Sequence, residues 1–202
     1  MKIFITGASG YIGGSLAAAL VAAGHSVMGL ARSPETADAL AARGIAPVRG
    51  SLDDAPVLAS AAKAADVTIG AASADHRGSA DAIVTALSGS GKTFLHTSGS
   101  SIVGTPADGE FVPAVFDEDT PFTPTPARKA RVEIDNMVRG ASGMRGVVIA
   151  PSLIYGRGHG LNPDSVQVPW LIALARKACM ARHIGSGENR WANVHIDDLV
   201  PL

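Results

Sequence analysis

Residues Lys2–Gly24 read KIFITGASGYIGGSLAAALVAAG, and this segment is the most informative one for the type of fold. It predicts a short apolar strand, a turn with glycines spaced G-x-x-G-x-x-G, and an alanine- and leucine-rich helix that ends at Gly24. A tight turn that opens a helix is an anion site, because the first free N–H groups and the positive end of the helix dipole point at the same place. The stretch therefore predicts a site for the diphosphate of a dinucleotide.

The three glycines of this turn have separate roles. Gly7 can adopt the backbone angles that the turn needs, and Gly10 has no side chain to keep a diphosphate away. Gly13 lets the helix lie close against the strands. The residues expected to hold the cofactor here are Gly7, Ser9, Gly10, Tyr11, Ile12 and Gly13.

The composition is that of a globular protein with a large buried fraction. The chain has 202 residues, of which 47% are apolar and 17% charged, and its formal net charge is −1. This charge and an aromatic content of 4% argue against nucleic acid as a partner. The apolar helix of the opening stretch is too short to span a bilayer, so no membrane partner is expected. The single cysteine, Cys179, fits a reducing compartment, and we expect a cytoplasmic protein.

The glycine spacing, between a strand and a helix, resembles the extended and atypical branches of the short-chain dehydrogenase/reductase superfamily, which are NAD(P)-dependent epimerases, dehydratases and reductases. Similar segments follow along almost the whole chain. The resemblance implies a three-layer α/β fold of the Rossmann type, with a doubly wound parallel sheet in the order 3-2-1-4-5-6. Residues 1–150 would form the NAD(P)-binding domain, and residues 151–202 a small, incomplete substrate lobe whose elements interleave with that domain.

The end of the chain bears on this lobe. Members of the superfamily continue beyond the V-H-V-D-D segment that Val194–Asp198 resembles, so the resemblance implies a chain that is short at its C-terminus. An incomplete lobe would expose apolar surface and favour association, which leaves a homodimer open. Residues 169–180 predict a helix, and the side chains expected to face a core from it are Trp170, Leu171, Leu174 and Cys179.

The second predicted strand, His25–Ala31, ends where this fold distinguishes NAD from NADP. Folds that bind NAD usually carry an acid there, whereas Arg32 and Ser33 follow this strand and no acid occurs before Glu35. A guanidinium and a hydroxyl can bind the 2′-phosphate that a carboxylate would repel. We therefore predict NADP as the preferred cofactor and keep NAD open, because Arg32 can also be a solvated charge or stack on the adenine of either nucleotide.

Other cofactor contacts follow from the resemblance alone. Ser51 and Leu52 lie in a segment similar to the G-D-[LI] segment that holds the adenine, with Ser51 in the place of the aspartate. Ala71 and Ala72 correspond to small residues beside the ribose and the diphosphate, and Pro151 to a proline near the nicotinamide carboxamide.

The chemistry of the superfamily depends on a Y-x-x-x-K pair on one helix, in which the lysine and an oxidised nicotinamide lower the pKa of the phenol. The glutamate that often follows that lysine by four residues matches Glu133, so the lysine matches Lys129, and Thr125 occupies the position of the tyrosine. An aliphatic hydroxyl titrates far above a phenol, so Thr125 cannot simply take over the proton transfer. Lys129 is still expected to bind the nicotinamide ribose.

Three interpretations of the missing tyrosine stay open. In the first, Thr125 orients the substrate or a water molecule. In the second, another side chain supplies the proton, and the candidates are Tyr155, His159, Asp75 and His76. In the third, the protein binds a dinucleotide without the chemistry of the superfamily.

A second catalytic group of the superfamily is a hydroxyl that follows the fifth strand. Residues Gly99–Gly104 read GSSIVG and are similar to S-S-x-x-V-Y-G, in which a serine or threonine hydrogen-bonds the reacting oxygen. Gly99 occupies that position here, and Ser100 is our expected source of the hydroxyl.

Residues 156–163, GRGHGLNP, are expected to form a flexible loop that closes over the substrate, and the proline-rich residues 105–126 an irregular surface loop beside it.

These observations combine into a leading function and an alternative. The leading function is an NADP-preferring oxidoreductase or epimerase that acts on a small carbonyl or sugar-like substrate, and its candidate catalytic residues are Lys129, Ser100, Thr125 and Tyr155. The alternative is a dinucleotide sensor or an inactive dinucleotide-binding protein, which the missing tyrosine favours. No metal site is predicted, because His195 and Asp198 have no third ligand near them in the sequence.

Overall fold

The structure, a computed structural model, describes residues 1–202 and is built around a six-stranded parallel sheet in the order β3-β2-β1-β4-β5-β6. This confirms the predicted fold class and strand order. The strands are β1 (Lys2–Thr6), β2 (Ser26–Ala31), β3 (Ala46–Arg49), β4 (Val67–Gly70), β5 (Thr93–Thr97) and β6 (Arg145–Ile149).

Helices cover both faces of the sheet. Those of the first part of the chain are α1 (Tyr11–Ala22), α2 (Pro34–Ala41), α3 (Ala55–Ala64), α4 (Arg77–Leu87) and α5 (Lys129–Arg139). In the central strand β1, Ile3 and Ile5 pack on the face that α1 and α2 cover, and Phe4 packs on the opposite face with residues of α3, α4 and α5. Burial on both faces explains why this strand is apolar throughout, as is usual for parallel sheets.

The remaining elements form a smaller unit with a two-stranded parallel sheet of β7 and β8. These elements are β7 (Leu153–Tyr155), α6 (Gln167–Ala178), β8 (Asn193–His195) and α7 (Ile196–Leu199). Ile196 and Leu199 of α7 are buried. Residues 103–128 contain no helix or strand, as their prolines predict.

The predicted packing of α6 is wrong. None of its residues is buried, and Trp170, Leu171 and Leu174 are exposed. Cys179 is exposed as well, and it lies just after the helix in the left-handed conformation with φ of 52°. The apolar spacing of this helix marks a face that no other part of the chain covers. None of the helices is of a length and apolarity suited to crossing a bilayer.

Candidate functional site

The glycine turn between β1 and α1 has the geometry that its sequence predicts. Gly7 has φ of +80°, a left-handed conformation that favours glycine, and its carbonyl accepts the Gly10 N–H at 2.8 Å. Gly10 precedes the helix with an extended backbone. No group in the chain accepts the N–H groups of Tyr11, Ile12 and Gly13, the first three residues of α1. These donors and the positive end of the helix dipole form an anion site.

Close packing requires glycine at two positions of this turn. A Cβ at Gly7 would lie 2.7 Å from the carbonyl carbon of Ala71, and a Cβ at Gly13 would lie 2.3 Å from the Gly7 oxygen. At Gly10 a Cβ would meet only the Gly7 oxygen, at 3.2 Å. The turn therefore lies directly against Ala71 and Ala72 at the end of β4, while a Cβ at Gly10 would face open space apart from the Gly7 oxygen.

The loop of residues 156–163 is fastened beside the same turn. The Tyr11 hydroxyl donates to the Gly156 carbonyl at 2.9 Å, and burial raises the pKa of this phenol. The Asn162 side chain donates to the Ser9 carbonyl at 2.8 Å. The expectation that this loop is a flexible cover is therefore not supported by its contacts, which hold it against α1.

Arg32 and Ser33 lie between the end of β2 and the start of α2. The Arg32 side chain is exposed and forms no ion pair within the chain. The Ser33 hydroxyl accepts the Thr36 N–H at 3.2 Å and so caps α2, and a hydrogen bond from this hydroxyl lowers the pKa of Glu35. Arg32 is thus available to an anion, whereas the Ser33 hydroxyl already caps α2.

Ser51 and Leu52 are half-buried in the turn between β3 and α3. The Ser51 hydroxyl accepts the Asp53 N–H at 3.1 Å, and the Ser51 N–H donates to the Asp54 carboxylate at 3.1 Å. These bonds fix the turn and leave the hydroxyl able to donate its own hydrogen.

Thr125 and Lys129 lie one helical turn apart at the beginning of α5. The Thr125 carbonyl accepts the Lys129 N–H at 3.1 Å and the Arg128 N–H at 2.8 Å, so the chain enters the helix here. Thr125 is half-buried, and Lys129 is exposed with no ion pair. The spacing predicted from the sequence is thus realised, with a free ammonium at Lys129.

Ser100 begins a short 3-10 helix, Ser100–Ile102, which follows β5. Its N–H donates to the Pro151 carbonyl at 2.9 Å, and this bond joins the segments that follow β5 and β6. The Ser100 hydroxyl has no partner within the chain, and the residue is half-buried. The structure therefore brings Ser100 and Pro151 together at the carboxyl edge of the sheet, where open α/β sheets bind ligands.

Two of the candidate proton donors, Tyr155 and His159, belong to the smaller unit. Tyr155 lies in β7 with its ring edge-on to His195, at 5.1 Å between ring centroids. His159 lies 2.8 Å from the Asp197 carboxylate, and the His195 side chain caps α7 by accepting the Asp197 N–H. These rings have structural partners, and neither is joined by a contact to Lys129.

The other two candidates, Asp75 and His76, follow β4. One ring nitrogen of His76 accepts the Ser79 N–H at 3.1 Å, which caps α4, and the other lies 3.1 Å from the Asp53 carboxylate. Both nitrogens are therefore occupied. Asp75, in contrast, pairs with a side chain of α5.

That partner is Arg131, which the sequence patterns did not single out. Its Nε donates to one Asp75 oxygen at 2.8 Å and its Nη2 to the other at 2.5 Å, while Nη1 lies 3.4 Å from the Ser101 hydroxyl. The hydrogen bond from Arg131 lowers the pKa of Asp75 and raises that of the guanidinium. Arg131 thus ties α5 to the loops after β4 and β5. Asp75 was visible as an acid after a strand, but its partner lies 56 residues away in the sequence.

A buried polar cluster below this pair was also missed. The Ser98 hydroxyl donates to one oxygen of Asp135 at 2.7 Å, and the other oxygen lies 3.8 Å from Nε2 of His96. All three residues are buried, and neither Nε2 nor that second oxygen has a hydrogen-bond partner. Burial lowers the pKa of His96 and raises that of Asp135.

Comparison with known proteins gives a family and similar folds. The family model described as NAD dependent epimerase/dehydratase family matches residues 3–202. An uncharacterized protein of Saccharomyces cerevisiae is 32% identical over 222 residues, which cover 100% of this chain and 69% of the yeast protein. A 4-hydroxy-2-methyl-3-oxo-4-farnesyl-3,4-dihydroquinoline-1-oxide ketoreductase of Stigmatella aurantiaca is 30% identical over 193 residues, 87% of this chain and 55% of that protein.

Among solved structures, a UDP-glucuronic acid 4-epimerase from Bacillus cereus, in complex with UDP-glucuronic acid and NAD, has the same fold. It aligns with a TM-score of 0.72 at 18% identity and covers 99% of this chain and 71% of its own. With the glycine turn, the sheet order and the match over residues 3–202, the chain belongs to the NAD dependent epimerase/dehydratase family, whose members are enzymes.

Proposed function

We propose that this protein binds a nicotinamide dinucleotide at the glycine turn, prefers NADP, and catalyses hydride transfer with a small carbonyl substrate. The observation that carries the proposal is the cradle at the start of α1, where three N–H groups lack acceptors beside a glycine without neighbouring side chains. A diphosphate fits this donor set, because it needs several N–H groups and no carboxylate. The bound dinucleotide would supply or accept the hydride.

The residues after the strands would hold the rest of the cofactor. Arg32 is the charged group placed for a 2′-phosphate, and its lack of an internal partner supports that use. The free ammonium of Lys129 would bind ribose hydroxyls. Pro151, fixed by the Ser100 N–H, would border the nicotinamide.

Reduction of a ketone is the reaction that the similarities favour, since one of the relatives reported above is named a ketoreductase. In this reaction Ser100 would donate its free hydroxyl to the substrate, and half-buried Thr125 would orient the substrate or a water molecule. A sugar-nucleotide substrate is the alternative within the same family, since one fold neighbour binds UDP-glucuronic acid.

The cofactor site is tested by titrating NADPH and NADH into the native protein and into Gly10→Val, with fluorescence as the readout. The valine side chain would fill the space of the diphosphate, and we expect binding to fall below detection. Gly78→Val is the matched control, because Gly78 is exposed in α4 and a Cβ there would meet nothing closer than 3.6 Å. Unchanged affinity in Gly10→Val would reject the site.

The reaction is tested separately with two probes. Ethyl 2-methylacetoacetate reports ketone reduction through oxidation of NADPH, and UDP-glucose reports epimerisation through its sugar products. Turnover of the keto ester alone is the expected result, and turnover of UDP-glucose alone would assign the protein to the epimerases.

A dinucleotide sensor is the second candidate, and Thr125 at the tyrosine position favours it. A sensor would bind the nucleotide tightly and turn over neither probe.

A further inference from the structure

We propose that Arg131 is a hydrogen-bond donor that stabilises the charged oxygen of the substrate, in a site that lacks the tyrosine of the superfamily. The inference rests on the proposed function, since it assigns a residue to hydride transfer. It depends on the contacts of the guanidinium, on its position at the edge of the sheet, and on the glycine beside it.

The guanidinium is held rigidly from one side. Nε and Nη2 donate to the two oxygens of Asp75 in a bidentate arrangement, which fixes the plane of the group. Arg131 keeps 14% of its side-chain surface exposed, and Asp75 keeps 59%. Asp75 therefore lies at the surface, while the Arg131 side chain is mostly covered and lies between the loops that follow β4 and β5.

The edge of the guanidinium that faces away from Asp75 retains free donors. Nη1 carries two hydrogens, and its only acceptor within the chain is the Ser101 hydroxyl at 3.4 Å, a long contact. At least one N–H of this edge is thus available to a ligand oxygen. A donor that is already positioned costs no reorganisation when charge develops, which is the property of oxyanion sites.

Gly99 leaves the space that this edge of the guanidinium occupies. A Cβ at residue 99 would lie 3.4 Å from Nη1, so a serine there would extend its hydroxyl into the region of the guanidinium. Gly99 is the residue that aligns with the oxygen-binding serine or threonine in the S-S-x-x-V-Y-G resemblance. The glycine and the arginine are therefore complementary, since a small residue leaves room where a charged donor now lies.

The neighbouring carboxylates keep the Arg131 guanidinium charged, so it can donate hydrogen bonds but cannot give up a proton. Asp75 and Asp135 both raise the pKa of Arg131, so the group stays charged at all working pH values. In the proposed step, hydride from a reduced nicotinamide adds to the carbonyl carbon, and the C=O π pair moves onto oxygen. The resulting alkoxide accepts hydrogen bonds from Arg131 and from the Ser100 hydroxyl, and it then takes a proton from water, which leaves hydroxide.

Three variants separate this role from a structural one. Arg131→Met removes the donor and keeps an unbranched stem, and Arg131→Lys keeps the charge but loses the bidentate fork. Arg139→Met is the matched control, because Arg139 lies on the same helix and bonds only Asn136. NADPH affinity is measured first for each protein, so that failure of the cofactor site is recognised independently of this inference.

The first experiment measures binding of an anion and does not depend on catalytic turnover. [1-13C]acetate, whose carboxylate mimics a charged oxygen, is added to the NADP complex of each protein and its NMR line width is followed. We expect broadening with the native protein and Arg139→Met, and at least a tenfold weaker effect with Arg131→Met. Equal broadening in Arg131→Met, or none in the native protein, would overturn the assignment. If Arg131→Met does not fold, Arg131→Lys is used instead; its ammonium keeps the charge but is not held by a bidentate fork, so weaker broadening than in the native protein is expected and equal broadening would overturn the assignment.

The kinetic arm uses ethyl 2-methylacetoacetate. Loss of one donor to an oxyanion lowers kcat by about 10²–10³-fold, with KM and NADPH affinity changed much less. A merely structural role would lower the melting temperature and nucleotide affinity together with kcat. A kcat within threefold of the native value in Arg131→Met excludes the donor role.

Discussion

Gly13 lies against the carbonyl oxygen of Gly7 so closely that a Cβ on Gly13 would sit 2.3 Å from that oxygen. The obstacle is backbone of the turn itself, which cannot rotate aside as a side chain can. We therefore expect Gly13→Ala to lower the free energy of unfolding by about 3 kcal/mol, the upper part of the range for overpacking. Urea unfolding measures this change.

Gly78→Ala is the control for that substitution, since it adds the same methyl group to a helix residue with free space. It is expected to be neutral or slightly stabilising, because alanine favours helix. Equal stability of the two alanine variants would contradict the close contact between α1 and the turn.

Much of the fold follows from local patterns, and the site follows only in part. The strands and the glycine turn were predictable because apolar strands, helix caps and G-x-x-G-x-x-G spacing depend on nearby residues, whereas the strand order was implied by the resemblance to the superfamily. The exposure of Trp170 was not predictable, because helical spacing marks an apolar face without saying what covers it. The roles of Lys129 and Ser100 stay predictions, since their side chains have no partner that reports on function.

The polar contacts of the site escaped prediction for a different reason. Arg131 and Asp75 are separated by 56 residues, and Ser98 and Asp135 by 37. Such pairs form only when the sheet places the ends of β4 and β5 beside α5. No spacing rule in the sequence relates them, so the position of a charge in the sequence gives no guide to its partner.

Arg32 provides a test of cofactor choice. Its guanidinium is free at the end of β2, and a charge-assisted bond to a 2′-phosphate contributes about 1.5–3 kcal/mol. Arg32→Ala should therefore weaken NADPH by about 10- to 100-fold and NADH by less than threefold. Calorimetric titration of both nucleotides measures the difference. Arg176→Ala, on the distant helix α6, controls for net charge, and equal losses for NADPH and NADH in Arg32→Ala would exclude recognition of the phosphate.

Lys129 is expected to order the nicotinamide ribose whether or not the protein is active. Removal of its ammonium in Lys129→Met should raise the dissociation constant of NADPH about five- to tenfold, which corresponds to about 1 kcal/mol, the net contribution of one typical hydrogen bond. Lys177→Met, on α6, is the lysine control. If the two variants bind NADPH equally well, Lys129 is a solvated surface charge.

Asp135 is expected to reduce stability at neutral pH, although Ser98 hydrogen-bonds it. Burial raises the pKa of Asp135 above its value in the unfolded chain. The folded state therefore has its full stability below the ordinary pKa of an aspartate and loses stability as pH rises through the raised pKa. Its second oxygen also lies 3.8 Å from Nε2 of His96, and neither of these two atoms has a hydrogen-bond partner. An asparagine at 135 removes the charge, keeps an acceptor for Ser98 and offers an N–H to His96.

We therefore expect Asp135→Asn to melt at a higher temperature than the native protein at pH 8. The expected increase in the free energy of unfolding is about 1 kcal/mol at pH 8, and this increase shrinks towards pH 4. The gain shrinks because the native carboxyl takes up its proton as pH falls and then resembles the amide. Burial also lowers the pKa of His96, so His96 stays neutral and able to accept that N–H at pH 8. Asp81→Asn removes an exposed acid from α4 and should change stability little at either pH. A lower melting temperature for Asp135→Asn at pH 8 would mean that the buried carboxylate stabilises the fold through its charge.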